Sequence, residues 1–345
     1  MSTDPQAAPD PQAAPDPQAA PDPQAGTGPQ PGRVQPNAAV PQASPVPQAV
    51  SDLPWAPADK ASVLVEALPY IRRFWGKVVV VKYGGNVLQS KPGEPAIDEE
   101  TALASFAEDI VMMRSVGMLP VVVHGGGPQI GDLLGRLGMA TEFRGGFRVT
   151  DADTLDIVRM VLVGKVNRDI VSAVNVHGAL AVGLSGEDAN LITAEAKSEH
   201  LGYVGDVVEV DPVIVHQLLA QGLIPVVATI GSDETGQAFN INSDTVAGHL
   251  ATAIAAEKLV FLTDVAGLRS VPDDPSTLIS AVTANELDAL VASGAATGGM
   301  IPKAQACAQA VRAGVGHAHI LDGRTPHALL LEVFTDQGVG TMVGE

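Results

Sequence analysis

Six short runs of consecutive apolar residues constrain this chain most: "KVVVVK", "LPVVVH", "ALAVGL", "LIPVVA", "KLVFLT" and "HAHIL". An alternating strand hides one face. An unbroken Val/Leu-rich strand hides both, as in a parallel sheet covered by helices on each side. Segments with helical spacing separate the runs, at 99–115, 129–137, 154–163, 166–176, 212–221, 245–256, 284–292 and 301–313. Polar, hairpin-like stretches interrupt at 142–148 and 193–210. The alternation predicts a three-layer αβα sandwich with a largely parallel central sheet.

Two segments precede the first run. In "DKASVLVEALPYIRRFWGK", Leu64, Leu68, Ile71 and Trp75 recur at helical spacing, with Asp59 placed to cap the start and Pro69 inside. Upstream, "DPQAAP" begins at Asp4, Asp10 and Asp16. Proline lacks an N–H and restricts the residue before it, so residues 1–55 are expected to form a disordered tail.

The charge narrows the function. With a formal net charge of −19, the chain lacks the basic surface that nucleic acid demands. A site for a small anion must therefore be built locally, from a few cations and backbone N–H groups. No apolar run is long enough to predict a membrane span, and the start lacks the basic and apolar regions of a secretory signal. Cys307 is the only cysteine, so no internal disulfide is available and a cytoplasmic location is expected.

Anion chemistry is written at the strand ends. Gly84-Gly85 follows the first run directly after Lys82, and Gly125-Gly126-Gly127 follows the second. Ligands of such sheets sit beyond the carboxyl ends of the strands, where bare turns let the backbone approach an anion. One such turn alone could equally be a tight strand–helix connection; two, with a lysine beside one, point to an anion site. The motifs of a P-loop and of a dinucleotide fold are both absent. In "FNINSDTVAG", Asn240, Asn242 and Asp244 alternate, so an extended segment would put all three on one side, with Ser243 or Asp244 near the cap of the next helix. Gly298-Gly299 leads into a helix carrying Lys303 in its first turn, where the helix dipole disfavours a cation. An anionic ligand there would remove the conflict. His124 is expected to brace the glycine loop, and Cys307 to lie in the core.

These segments, together with "FRVTD", "GKVNRDIV", "GLSGEDA", "LGYVGDV", "LTDVAGL" and "GGMIPK", resemble the amino-acid kinase superfamily, and within it the arginine-sensitive acetylglutamate kinases, from about Ala61 onward. The resemblance implies transfer of the γ-phosphoryl group of ATP, with Mg2+ held mainly by the ATP phosphates and no dedicated metal ligands, to the side-chain carboxylate of N-acetyl-L-glutamate, the second step of arginine biosynthesis. Carried over residue by residue, Lys82, Lys303 and Asp244 are catalytic. Gly126, Gly127, Arg148 and Asn240 hold acetylglutamate. Gly84, Gly85, Thr263, Asp264, Gly299 and Met300 hold ATP. His319, Glu332, Gly338 and Gly340 form a site for L-arginine as inhibitor. The resemblance also implies a homohexamer, a trimer of dimers, joined through an oligomerisation helix over 56–77. The implied lobes are 78–255 for acetylglutamate and dimerisation, and 256–345 for ATP and arginine.

Arg148 has an alternative reading as a structural ion pair with Asp151, and Glu332 as a solvated helix residue. Ser243 and Glu187 stand where many relatives carry alanine and lysine. A PII-type partner is supported by no residue. A sister kinase acting on another carboxylate or on carbamate, and a non-catalytic arginine sensor, are the competing functions.

Overall fold

The computed structural model describes Met1 and residues 56–88, 98–271, 274–294, 296, 298–335 and 338–345. Apart from Met1, the expected tail lies outside these described residues. In chain order the strands are β1 (Val78–Tyr83), β2 (Leu119–His124), β3 (Phe143–Arg144), β4 (Phe147–Arg148), β5 (Ala181–Ser185), β6 (Ile192–Ala196), β7 (Val204–Val210), β8 (Ile224–Ala228), β9 (Ile230–Ser232), β10 (Ala238–Ile241), β11 (Lys258–Thr263), β12 (Ala281–Thr283), β13 (His317–Asp322) and β14 (Thr341–Gly344). The α-helices are α1 (Pro57–Phe74), α2 (Glu99–Ser115), α3 (Gly127–Arg136), α4 (Ala152–Arg159), α5 (Asn167–Asn175), α6 (Val213–Ala220), α7 (Ser243–Ala253), α8 (Ala284–Ala292), α9 (Met300–Arg312) and α10 (Ala328–Phe334).

All six apolar runs are strands of one eight-stranded sheet, ordered β12-β14-β13-β11-β1-β2-β8-β5. Every neighbouring pair is parallel except β13–β14. Helices cover both faces, as the unbroken apolar pattern required. One layer packs Val80, Val121, Val123 and Phe261 against Val246, Leu250, Ala304 and Cys307. The other packs Val79, Val81, Tyr83, Val122 and Val260 against Phe106, Ile110, Met113, Ile170 and Val174. Successive strand residues face opposite ways, so Lys82 shares the side of Val80 and points into the layer built by α7 and α9. Register completes the placement: Tyr83 lies beside His124 on one flank and Leu262 on the other, so three strands end together at the middle of the sheet.

Several boundaries differ from expectation, each for a local reason. Asp59 does not cap α1. Ala56 is the cap residue, Pro57 occupies the first turn, and Asp59 sits inside it. The helices expected at 154–163 and 166–176 are joined by a π-helical turn, Met160–Val166, between α4 and α5. The extended run expected through Asp244 ends at Ile241, because Asn242 turns out of it and caps α7. The edge strand β12, its neighbour β14 and the helix α10 had no counterpart in the pattern.

A smaller closed unit, β10-β7-β6-β9, and the β3–β4 hairpin stand beside the main sheet. A bridge between Thr150 and Gly202 ties the segment after the hairpin to this unit. Gly202 has φ of +65°, and a Cβ there would lie 2.3 Å from the Thr150 carbonyl oxygen. Both the backbone angle and the space demand glycine. Gly202→Ala is expected to destabilise the fold by about 2 kcal/mol or more, read as a lower thermal unfolding midpoint.

Candidate active site

The site is assembled around the first turn of α7. The Asn242 side chain accepts from the backbone N–H of Asp244 at 2.8 Å and of Thr245 at 3.2 Å, which fixes the helix start and aims Asp244. Lys82, from the end of β1, places Nζ 2.8 Å from Asp244 Oδ1. Lys303, from the first turns of α9, places Nζ 3.0 Å from Asp244 Oδ2. Lys303 also lies 3.4 Å from the Gly299 carbonyl. The conflict between Lys303 and the positive end of its helix is thus answered within the protein, by Asp244.

All three side chains are nearly closed to solvent, at 6 %, 5 % and 14 % exposure for Lys82, Asp244 and Lys303. Burial alone would raise the Asp244 carboxyl. The two ammonium groups outweigh it and hold the acid below its ordinary value. Two cations and one carboxylate leave one unit of positive charge in a low-dielectric wall. A buried arrangement of this kind stabilises a fold poorly, because the desolvation of three ions offsets their attraction. What it does well is receive a further negative charge.

Two cavities meet here. The larger, about 560 Å³, is lined by Lys82, Gly84, Gly85, Asp244, Thr263, Gly299 and Lys303. The smaller, about 450 Å³, is lined by Ile130, Phe143, Arg148, Leu162, Thr229 and Asn240. Gly125, Gly126, Gly127, Pro128, Asn242 and Ser243 line both, so the two share a wall. Among the described residues nothing accepts the N–H of Gly85, Gly126 or Gly127. The Gly84 N–H is already bonded to the Leu262 carbonyl at 3.2 Å, so Gly84 shapes the larger cavity without offering a donor.

Arg148 is 9 % exposed, and its guanidinium donates to the Gly127 carbonyl at 2.9 Å and to the Thr141 hydroxyl at 3.3 Å. Its guanidinium lies over the Phe143 ring, 4.8 Å from the centroid. The alternative partner, Asp151, instead caps α4 through the Thr154 N–H at 2.8 Å. Among the described residues no carboxylate pairs with Arg148, so its charge faces the smaller cavity uncompensated. Asn240 donates to the Thr150 hydroxyl at 3.4 Å.

Of the other residues expected at the nucleotide, Asp264 accepts from the Thr263 hydroxyl at 3.2 Å, and Met300 packs against the core rather than lining the cavity. Sequence reasoning missed Gly145 and Gly146, which carry the tip of the β3–β4 hairpin to the larger cavity, and Gln305 and Pro302 of α9. The polar hairpin pattern was the one available signal for the first pair. Glu187 accepts from Arg159 at 2.8 Å and lines neither cavity. Cys307 is buried in the core.

A third cavity, about 320 Å³, gathers His319, Glu332, Gly338 and Gly340 with Tyr70, Arg73, Phe74 and Lys258. Glu332 is not a solvated helix residue. Its side chain is 8 % exposed, with Oε1 2.8 Å from His319 Nδ1 and 3.4 Å from Lys258 Nζ. Burial pulls the His319 imidazole below its ordinary value, and its Nε2 is buried with no partner among the described residues.

The Amino acid kinase family model matches residues 77–322, and the chain belongs to that family. Its relatives narrow the placement to one branch. Acetylglutamate kinase of Symbiobacterium thermophilum is 52 % identical over 295 residues, covering 83 % of this chain and 97 % of that protein. Acetylglutamate kinase of Saccharopolyspora erythraea is 53 % identical, covering 85 % and 96 %. Among solved structures, N-acetylglutamate synthase from Neisseria gonorrhoeae complexed with coenzyme A and N-acetyl-glutamate superposes with a TM-score of 0.71 at 26 % identity, over 83 % of this chain and 63 % of that one. The same synthase complexed with coenzyme A and L-arginine gives 0.69, at 26 % identity, over 82 % and 65 %. Carbamate kinase from Giardia lamblia bound to AMP-PNP, at 18 % identity and a TM-score of 0.56 over 78 % and 99 %, shares the fold.

Asp244→Asn would leave two buried ammonium groups facing each other. It is expected to cost about 3–5 kcal/mol in denaturant unfolding. The sign with pH follows from the lowered acid: the stabilisation from Asp244 is present above the ordinary value of 3.8 and is lost as pH falls through the lower folded value. The variant should lack that share of the acid-side slope.

Proposed function

We propose that this chain transfers the γ-phosphoryl group of ATP to the side-chain carboxylate of N-acetyl-L-glutamate, giving an acyl phosphate and ADP in the second step of arginine biosynthesis. The observation that carries this reading is the Lys82–Asp244–Lys303 bridge beside the shared wall of two cavities, one of which holds the uncompensated Arg148. The nucleotide occupies the larger cavity and acetylglutamate the smaller. Arg148 binds the α-carboxylate through two parallel N–H donors. The side-chain carboxylate then faces the γ-phosphorus across the shared wall.

The acceptor is already ionised near neutral pH, so the reaction needs no general base. A carboxylate oxygen forms the new P–O bond while the bond to the bridging oxygen of ADP breaks. Negative charge spreads over the equatorial oxygens of the migrating group and onto ADP. Lys82, Lys303 and the N–H groups of Gly85, Gly126 and Gly127 are fixed where that charge develops. Asp244 keeps the two ammonium groups apart from each other and aimed.

Magnesium enters with ATP as part of the substrate. Both Asp244 oxygens are committed to lysines, and Mg2+ is held mainly by the ATP phosphates.

The same reading extends to control. L-arginine suits the third cavity, offering its guanidinium to Glu332 and its carboxylate to the cations Lys258 and Arg73, which line the same space. Helix α1 supplies one wall and leaves Val63, Leu64, Val65 and Leu68 at 46 %, 64 %, 70 % and 42 % exposure, an apolar stripe that neighbouring protomers of a hexamer would cover. Residues 78–255 serve as the acetylglutamate lobe and 256–345 as the nucleotide lobe.

Lys82→Ala and Lys303→Ala are each expected to cost on the order of 2–4 kcal/mol of transition-state stabilisation, roughly 30- to 900-fold in kcat/KM. Arg148→Ala is expected to raise KM for acetylglutamate at least ~10-fold while leaving that for ATP within ~3-fold, which separates this enzyme from a kinase of another acid. For control, millimolar L-arginine should inhibit the wild type, and Glu332→Gln should weaken that inhibition without removing activity. A hexamer indifferent to arginine would reject the regulatory site.

A further inference from the structure

Behind the glycine loop runs a chain of hydrogen bonds that the roles above do not use. It joins the "GKVNRDIV" and "GLSGEDA" segments to the end of β2. Asn167, the first residue of α5, is fully buried, as is His124. The Asn167 Nδ2 lies 2.8 Å from the Val226 carbonyl, 3.4 Å from the Leu184 carbonyl and 3.0 Å from His124 Nε2. The Asn167 Oδ1 accepts from the guanidinium of Arg168, whose residue is exposed. His124 Nδ1 lies 3.0 Å from the carbonyl oxygen of Gly125.

Space confirms that the arrangement is built. A Cβ on Gly183 in β5 would lie 1.7 Å from Arg168 Nη2 and 1.9 Å from Asn167 Oδ1, so glycine is the residue that leaves room for the pair.

The chemistry has one direction. The Val226 carbonyl demands the donor end of the Asn167 amide and takes one of its two N–H groups at 2.8 Å, while Arg168 demands the acceptor end. The second N–H is left to His124 Nε2 at 3.0 Å and the more distant Leu184 carbonyl at 3.4 Å. The amide N–H therefore points at His124 Nε2, which must accept. The ring proton then sits on Nδ1 and donates to the Gly125 oxygen. Burial pulls the imidazole down to about 4, so the ring is neutral near neutral pH. In a trans peptide the C=O and the next N–H lie in one plane and point to opposite sides of the C–N bond. Holding the Gly125 oxygen against the buried ring turns the Gly126 N–H away from it, on the side of the cavities that Gly126 lines.

We propose that Asn167 is a positioning residue for phosphoryl transfer: held by Arg168, it fixes His124 in the Nδ1–H tautomer and so aims the Gly126 N–H at the developing anion. This rests on the kinase reading above. Were the amide reversed, its oxygen would draw the proton to Nε2. The bare Nδ1 would then oppose the Gly125 oxygen, and the peptide would turn.

The test uses the full chain labelled with 15N-histidine, with the His124 signals assigned by their loss in His124→Asn. Long-range 1H–15N spectra near neutral pH should show a neutral His124 ring protonated on Nδ1. Asn167→Asp removes the amide donor, places a carboxylate at Nε2 and should give a doubly protonated ring. Its kcat should fall ~10- to 100-fold, with KM for both substrates within ~3-fold. Arg168→Met, at an exposed position, frees the amide to reverse and should shift His124 toward the Nε2–H form with a smaller loss of kcat; Arg168→Lys should restore both. If Asn167→Asp does not fold, Arg168→Met decides. A wild-type ring protonated on Nε2 overturns the proposal, as does a decisive variant whose kcat stays within twofold of wild type. A wild type that phosphorylates no acetylglutamate rejects the activity instead, while the tautomer still tests the hydrogen-bond chain.

Discussion

One carboxylate holds two ammonium groups that would otherwise repel each other in a site nearly free of water. Asp244 is 2.8 Å from Lys82 and 3.0 Å from Lys303, and these residues come from β1, α7 and α9. The arrangement explains much of the surrounding design. Lys82 must lie on the α7 side of the sheet, which the alternation of β1 ensures. Asn242 must end the extended run one residue before Ser243, so that Asp244 enters the helix in its first turn. Gly84 must let the Leu262 carbonyl approach, since a Cβ there would sit 2.8 Å from that oxygen. The charge left over, one positive unit, suits the site to a further anion, in a protein whose net charge is −19.

Much of the fold was legible because a parallel sheet leaves a strong signature. The six runs became β1, β2, β5, β8, β11 and β13 of the main sheet, with polar residues such as Lys82, His124 and His319 set among the apolar ones. The two strands at one end of the sheet were not legible. β12 and β14 have three and four residues, too few for a pattern to rise above composition. The π-helical turn was invisible for a different reason: it changes which carbonyl each N–H reaches, without requiring a distinctive residue. Cap positions shifted because Asn242 satisfies two helix N–H groups at once, a geometric advantage that Ser243 and Asp244 do not reproduce here.

The site divides in the same way. Lys82 and the glycine turns could be read from local sequence, since a cation and bare backbone at a strand end suffice to suggest an anion. The partnership of Asp244 and Lys303 spans 59 residues and came from the family resemblance, because nothing local marks it. Arg148 was separable from a structural ion pair only once Asp151 was seen to cap α4. The hairpin tip at Gly145 and Gly146, and the Arg168–Asn167–His124 chain, depend on segments far apart in sequence meeting in space.

Strand β11 runs from Lys258, in the wall of the third cavity, to Thr263, in the wall of the larger cavity beside Lys82. Its six residues put about 17 Å between the two. Lys258 and Thr263 thus face two cavities at opposite ends of one strand. β11 is hydrogen-bonded to β1 on one side and to β13 on the other, so the two cavities are joined by a single strand held along both edges.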